Sequence, residues 1–124
     1  MEQWVTVEHE LPILSYDDAI GFMGTAELFV EIGEMLLEEL PELMDKIHSC
    51  FAAGDLLEVS RTAHRVKGNF GVIAAHEAQA AAKSLEYIAR EGDGPGSQVA
   101  VEALDVAVER AVPVIREHII QAAG

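Results

Sequence analysis

Of the five histidines in the chain (His9, His48, His64, His76 and His118), one has neighbours that suggest chemistry. Lys67 follows His64 at i+3 and Gly68 at i+4, so on a helix the three share a face. The apolar Ala63 and Val66 each stand one position earlier, about 100° away around the helix. The His64–Lys67–Gly68 stripe therefore flanks the core face and reaches solvent. A neutral imidazole, with an ordinary pKa of about 6.5, is a nucleophile at cellular pH and needs no activating base when exposed. A cation beside it suits an anionic group travelling to or from the ring, and Arg61 and Arg65 add positive potential. Glycine inside a helix costs about 1 kcal/mol relative to alanine, and Gly68 and Gly71 incur that cost twice within one turn. Close packing by a neighbouring helix suits Gly71. A cleared surface, over which a partner's backbone can approach the imidazole, suits Gly68. His76 opens the next helix and reads as a solvated side chain.

The elements that position this stripe are helical almost throughout. Phe29, Ile32, Leu36, Leu40, Leu43, Ile47 and Phe51 recur at three- and four-residue steps, one face of a 3.6-period helix. Glu27, Glu31, Glu34, Glu38, Glu42 and Asp45 form a second, acidic stripe that reads as a solvated face. Both stripes pass through Pro41, which predicts a kinked helix or two stacked segments. After Gly54, Asp55-Leu56-Leu57-Glu58 has capping-box form and opens a helix with Leu56, Val59, Ala63, Val66, Phe70 and Ile73 inward. A fourth segment turns Ala75, Ala78, Ala82, Leu85 and Ala89 inward, although no strong breaker separates it from the third at Ala74-Ala75. Glu91 to Gly96 reads as a loop. A last helix, capped by Ser97 and bent at Pro113, points Val101, Leu104, Val108, Val112, Ile115 and Ile119 to one side. Near the start, Ser15-Tyr16-Asp17-Asp18 caps one short helical turn before Gly21. Long amphipathic helices with short connections predict an all-α fold, an antiparallel four-helix bundle with a short additional N-terminal helix. Residues 1–13 form an N-terminal extension and 14–124 the domain.

Composition narrows the function. The chain is 124 residues long, half of them hydrophobic, which is enough to bury one core without staples. Its single cysteine, Cys50, offers neither an internal disulfide nor zinc-ligand spacing. With no basic region at Met1-Glu2-Gln3-Trp4 and no long apolar run, a cytoplasmic location is expected. Eight Lys and Arg against 22 Asp and Glu give a net charge of −14, a field that repels nucleic acid and anionic membranes. Residues 1–58 carry 14 acids and one base, Lys46, whereas five bases lie between Arg61 and Arg90. The histidine stripe thus sits in a basic island on an acidic molecule. Inward carboxylates with paired Glu-x-x-His motifs, as a di-iron bundle needs, are missing; Asp45-Lys46-Ile47-His48 is a solitary approximation. No metal site is expected.

The segment Ala63-His64-Arg65-Val66-Lys67-Gly68-Asn69-Phe70-Gly71 resembles the signature of histidine-containing phosphotransfer (HPt) domains, whose core is H-x-[hydrophobic]-K-G. The resemblance runs from about Leu14 to Ala122. It takes in Asp17-Asp18-Ala19-Ile20, Gly24 to Phe29, Leu40-Pro41-Glu42-Leu43, Ala52-Ala53-Gly54-Asp55, Leu85-Glu86 and Arg90. Asn69 stands where the family usually has a small Ser or Ala, and Ala74-Ala75 where it commonly has Gly-Ala. Both alter the surface or helix packing around the acceptor rather than the acceptor itself.

The resemblance implies that His64 accepts a phosphoryl group from a receiver-domain aspartate and passes it to another receiver. Lys67 would stabilise charge, and Mg²⁺ would come from the receiver's own acidic pocket. Receiver docking would use Gly68, Gly71, Arg61, Arg65 and Arg90, on a mainly apolar surface with a modest basic contribution. Arg90 either orients the phosphohistidine or pairs with Glu86 across one turn, and Glu86 reads as structural. No GxxxxGK[ST] loop is present, so the expected protein is a monomeric phosphocarrier without a cofactor, and not an enzyme. Two rival readings are the phosphoacceptor domain of a chemotaxis-type or hybrid histidine kinase and a non-catalytic helical interaction module. The first commonly has a further histidine near Lys83, which is missing; that, and an end at Gly124 without a linker tail, favour a free-standing carrier.

Overall fold

The structure is a computed structural model that describes residues 11–124; most of the expected N-terminal extension, with His9, lies outside the described residues. Among the described residues five helices follow one another: α1 (Tyr16–Met23), α2 (Ala26–Ala52), α3 (Leu56–Val72), α4 (His76–Arg90) and α5 (Gly94–Ala123). The four long ones close a ring in which α2 packs on α3 and α5, and α4 packs on α3 and α5. The short α1 lies against α2 and α3. The fold is an all-helical bundle.

Side chains cap four of the five helices, each accepting from an otherwise orphaned backbone N–H. Ser15 Oγ accepts from Asp18 N at 3.3 Å and Thr25 Oγ1 from Leu28 N at 3.1 Å. Asp55 Oδ1 accepts from Glu58 N at 3.2 Å, and Asp93 Oδ1 from Gly96 N at 2.9 Å. The last of these corrects the expected loop and cap: α5 starts at Gly94, three residues before Ser97, which is fully buried. Pro95 fits the first turn because the N–H it lacks would have no intrahelical acceptor there. Helix α1 is likewise longer than one turn, running through Gly21 to Met23, with Gly24 as its C-cap at a φ of +92° that favours glycine. Helix α2 passes through Pro41 as one element.

The α3–α4 corner has no side-chain cap. Ala74 takes the left-handed conformation (φ +58°) in a fully buried position, and its carbonyl accepts from Ser15 N at 3.0 Å. The carbonyl of Pro12 accepts from Glu77 N at 3.0 Å, satisfying the start of α4. The segment before α1 thus supplies the polar partners that the corner's own residues lack.

The core follows the apolar stripes. Phe29, Ile47, Phe70, Ile73, Leu85, Leu104 and Ile115 are wholly buried. On α5 the buried face turns toward Ala100, Ala107 and Ala111, leaving Val108 and Val112 partly exposed. Four of the five inward residues at the α4 face are alanines (Ala75, Ala78, Ala82 and Ala89), so α3 can approach α4 closely. Phe70, on the acceptor helix, contributes its whole ring to the core. Phe70→Ala is expected to destabilise the fold by about 3–5 kcal/mol, through lost burial and the cavity left behind; equilibrium denaturation measures it.

Candidate functional site

Helix α3 runs opposite to α4, with Ser60 beside Glu86 at one end and Gly71 beside Gln79 at the other. Ser60 Oγ donates to the Glu86 carbonyl at 2.8 Å, fixing the level of the two helices. At that level the His64 side chain is 66% exposed, while Ala63 and Val66 beneath it are fully buried. The face expected from the spacing is the face observed.

The ring is held from one side. His64 Nδ1 lies 2.8 Å from Glu86 Oε2, and the other carboxylate oxygen, Oε1, accepts from Lys67 Nζ at 2.8 Å. An ionised carboxylate can only accept, so Nδ1 carries the proton in this contact. In the neutral ring this leaves Nε2 with its lone pair. The Glu86 side chain is only 13% exposed. Burial alone would raise its pKa, but hydrogen bonds from Lys67 and His64, reinforced by their charge, outweigh burial and hold the carboxyl below its ordinary value of 4.5.

That shift predicts a pH dependence. A carboxyl with a depressed folded pKa contributes stability that is present above its unfolded pKa and is lost as pH falls through the folded value. Glu86→Gln is therefore expected to lower stability near neutral pH, with the gap to the unchanged chain closing as pH falls below 4.5. Denaturant titrations across that range measure it.

Around this centre the sequence-derived residues divide. Gly68 is open: a Cβ built there meets nothing within 4 Å. At Gly71 a Cβ would lie 2.7 Å from Gln79 Nε2, so this glycine admits the neighbouring helix's side chain. Lys67, Gly68, Gly71 and Gln79 line a shallow hollow with Val72 and with Phe22 of α1, which is 75% exposed. Arg90 reaches Glu86 at 3.9 Å and lies 6.0 Å from the Tyr87 ring centroid. It adds a further, looser charge on the carboxylate.

The basic contribution expected of Arg61 and Arg65 is largely neutralised. Arg61 pairs with Glu58 at 3.3 Å, whereas Arg65 turns to Glu39 of α2, whose second oxygen accepts from Asn69 Nδ2 at 2.8 Å. Asn69, the unusual residue after Lys67-Gly68, thus ties α3 to α2. His76 also departs from the solvated reading: its Nε2 donates to Asp18 Oδ2 at 3.1 Å, joining α4 to α1, and its side chain is 29% exposed. His48 pairs with Asp105, and His118 donates to the Val114 carbonyl and stacks on Tyr16.

A family model, the Hpt domain, matches residues 31–114, more than half of the chain. The chain belongs to the Hpt domain family. No curated protein and no solved structure matches it. Hpt domains act in histidine phosphotransfer within phosphorelays and interact with receiver domains. The matched span contains His64, Lys67, Gly68 and Glu86. Among the described residues no group of three or more His, Cys, Asp and Glu is placed to hold a metal ion, and no helix is long and apolar enough to cross a membrane.

Glu86 is the site residue that sequence reasoning undervalued. A signal for it exists. His64, Lys67 and Glu86 each stand one position after an inward residue (Ala63, Val66 and Leu85). On neighbouring helices of opposite direction, such positions turn toward the same seam.

Proposed function

We propose that His64 is the phosphoacceptor of a phosphocarrier that takes a phosphoryl group from one receiver aspartate and delivers it to another. The observation that carries this reading is an exposed imidazole whose Nδ1–H is engaged by Glu86, beside Lys67 and the open surface of Gly68. Nε2 attacks the phosphorus of the aspartyl phosphate, the new N–P bond forms, and the P–O bond to the aspartate breaks to release a carboxylate. The ring then carries the phosphoryl group at Nε2 and a proton at Nδ1, so its positive charge faces the Glu86 carboxylate. The onward step reverses this at a second receiver.

Transfer of this kind depends on positioning and on charge around the phosphoryl oxygens. Lys67 supplies a cation one helical turn from His64, and we read its bond to Glu86 as a resting arrangement that the arriving phosphoryl group competes with. Arg90 shares that carboxylate and so tempers its negative charge. The sequence has no GxxxxGK[ST] phosphate-binding loop, and the domain is read as a carrier and not a kinase. The ring of long helices is read as an antiparallel four-helix bundle, with α1 as an added brace.

The test is incubation of the chain with a panel of phosphorylated receiver domains, following label on both proteins. The reading requires rapid transfer from at least one receiver, and label on the chain that is labile to acid and stable to alkali, as a phosphoramidate is. Failure of every receiver overturns it.

A further inference from the structure

A cleft of about 520 Å³ lies between α2 and α3, with Ile32, Met35, Leu36 and Val72 as its apolar lining and Glu38, Glu39 and Glu42 beside them. Met35 is 67% exposed and Val72 44%. Among the described residues, the one cation that lines the cleft, Arg65, is taken by Glu39 with Asn69 completing the clamp. Glu38 and Glu42 stand one turn apart on the exposed rim, and no cation pairs with either among the described residues. The cleft therefore combines an apolar lining with two carboxylates, Glu38 and Glu42, that no cation among the described residues compensates.

It is also continuous with the acceptor site. Val72 belongs both to this cleft and to the hollow formed by Phe22, Lys67, Gly68 and Gly71. An apolar path thus runs from Met35 over Val72 to Phe22 and ends at Gly68, one turn from His64. A protein seated over His64 and Gly68 extends naturally across Val72 into the cleft.

We propose that the cleft seats a basic amphipathic segment of the receiver domain, apolar side chains over Met35 and Val72 and Lys or Arg opposite Glu38 and Glu42. This rests on the phosphocarrier reading and adds to it the chemistry by which a receiver is chosen. An acidic segment would meet like charge in a molecule of net charge −14. A neutral one would strip water from two carboxylates without replacing it, which is unfavourable. A basic one gains at both, and complementary rim charges act mainly on encounter rate and choice of partner.

The test compares two double variants of equal charge change, Glu38→Lys with Glu42→Lys, and Glu102→Lys with Glu109→Lys on α5, which lies across the bundle from α3. The receiver used is the panel member that transfers fastest to the unchanged chain. Phosphoramidate, which needs no docking, serves as a small-molecule phosphodonor to His64. The cleft variant is expected to slow receiver transfer about tenfold at low salt and to flatten its salt dependence. The α5 variant is expected to transfer normally, and all three chains to take label from phosphoramidate at equal rates. Equal slowing in both variants would assign the effect to net charge and overturn the cleft as the seat. Unchanged or faster transfer in the cleft variant would overturn it too. Loss of phosphoramidate labelling in the unchanged chain would instead strike at His64 as acceptor, a separate failure.

Discussion

His64→Gln is expected to reduce phosphoryl acceptance from every receiver to background while the chain stays folded. The effect is total because no other described histidine is placed to substitute. His76 has Nε2 bonded to Asp18, His48 has Nε2 bonded to Asp105, and His118 is part-buried against Tyr16. Among the described histidines, His64 alone combines an exposed ring with a neighbouring cation and an open approach. The fold survives because the His64 side chain is two-thirds exposed and contributes nothing to the core. The substitution removes one hydrogen bond to Glu86, a loss on the order of 1 kcal/mol, which leaves the core untouched. Glutamine also leaves Lys67 in place to satisfy Glu86. Circular dichroism and melting temperature check the fold, and label transfer checks the chemistry. Label persisting on the variant would move the acceptor elsewhere, with His76 the first to examine. Lys67→Ala makes the companion measurement: slower transfer or a shorter-lived phosphohistidine on an intact fold, because one cation near the phosphoryl oxygens is lost.

How much of this could be read before the structure depends on the kind of interaction. Apolar periodicity reports burial directly, so Phe29, Leu36, Ile47, Val59, Val66, Phe70 and Leu85 fall inside as their spacing requires. The exposure of His64 follows from its offset from Ala63 and Val66, which is a local property of one helix. Contacts between helices depend on axial level and rotation, which no single helix encodes. For that reason Glu86 reads as structural from its own segment, and becomes part of the site only once Ser60 locks α3 and α4 at one level. Arg65 and Asn69 illustrate the same point: their partner, Glu39, lies 26 and 30 residues away on α2. The start of α5 differs for a local reason. Gly92-Asp93-Gly94-Pro95-Gly96 has loop composition, yet Asp93 caps and Pro95 tolerates a first turn, so helix begins inside it. The α3–α4 corner lacks a breaker because its turn is held by Pro12 and Ser15 from outside.

Gly68→Gln separates the fold from the function at a single position. Gly68 lies in the interior of α3, between Leu56 and Val72, with ordinary helical backbone and nothing within 4 Å of a built Cβ. Glutamine is the better helix former by most of the 1 kcal/mol or so that separates glycine from alanine, and the open space means no clash opposes it. The melting temperature is therefore expected to stay level or rise. Transfer is expected to fall by about a hundredfold, the scale on which misplacement by about 1 Å costs rate. The new side chain would stand over the approach to His64, where the hollow of Lys67, Gly71, Val72 and Phe22 is shallow. A receiver aspartate must come within bonding distance of Nε2, so its loops must cross this surface. Phosphoramidate is small enough to reach the ring past glutamine, and its labelling of His64 should change little. That contrast distinguishes a blocked docking surface from a damaged acceptor. Transfer at the normal rate in this variant would mean that receivers approach His64 from the α4 side, over Glu86 and Arg90, and not across Gly68 and Val72.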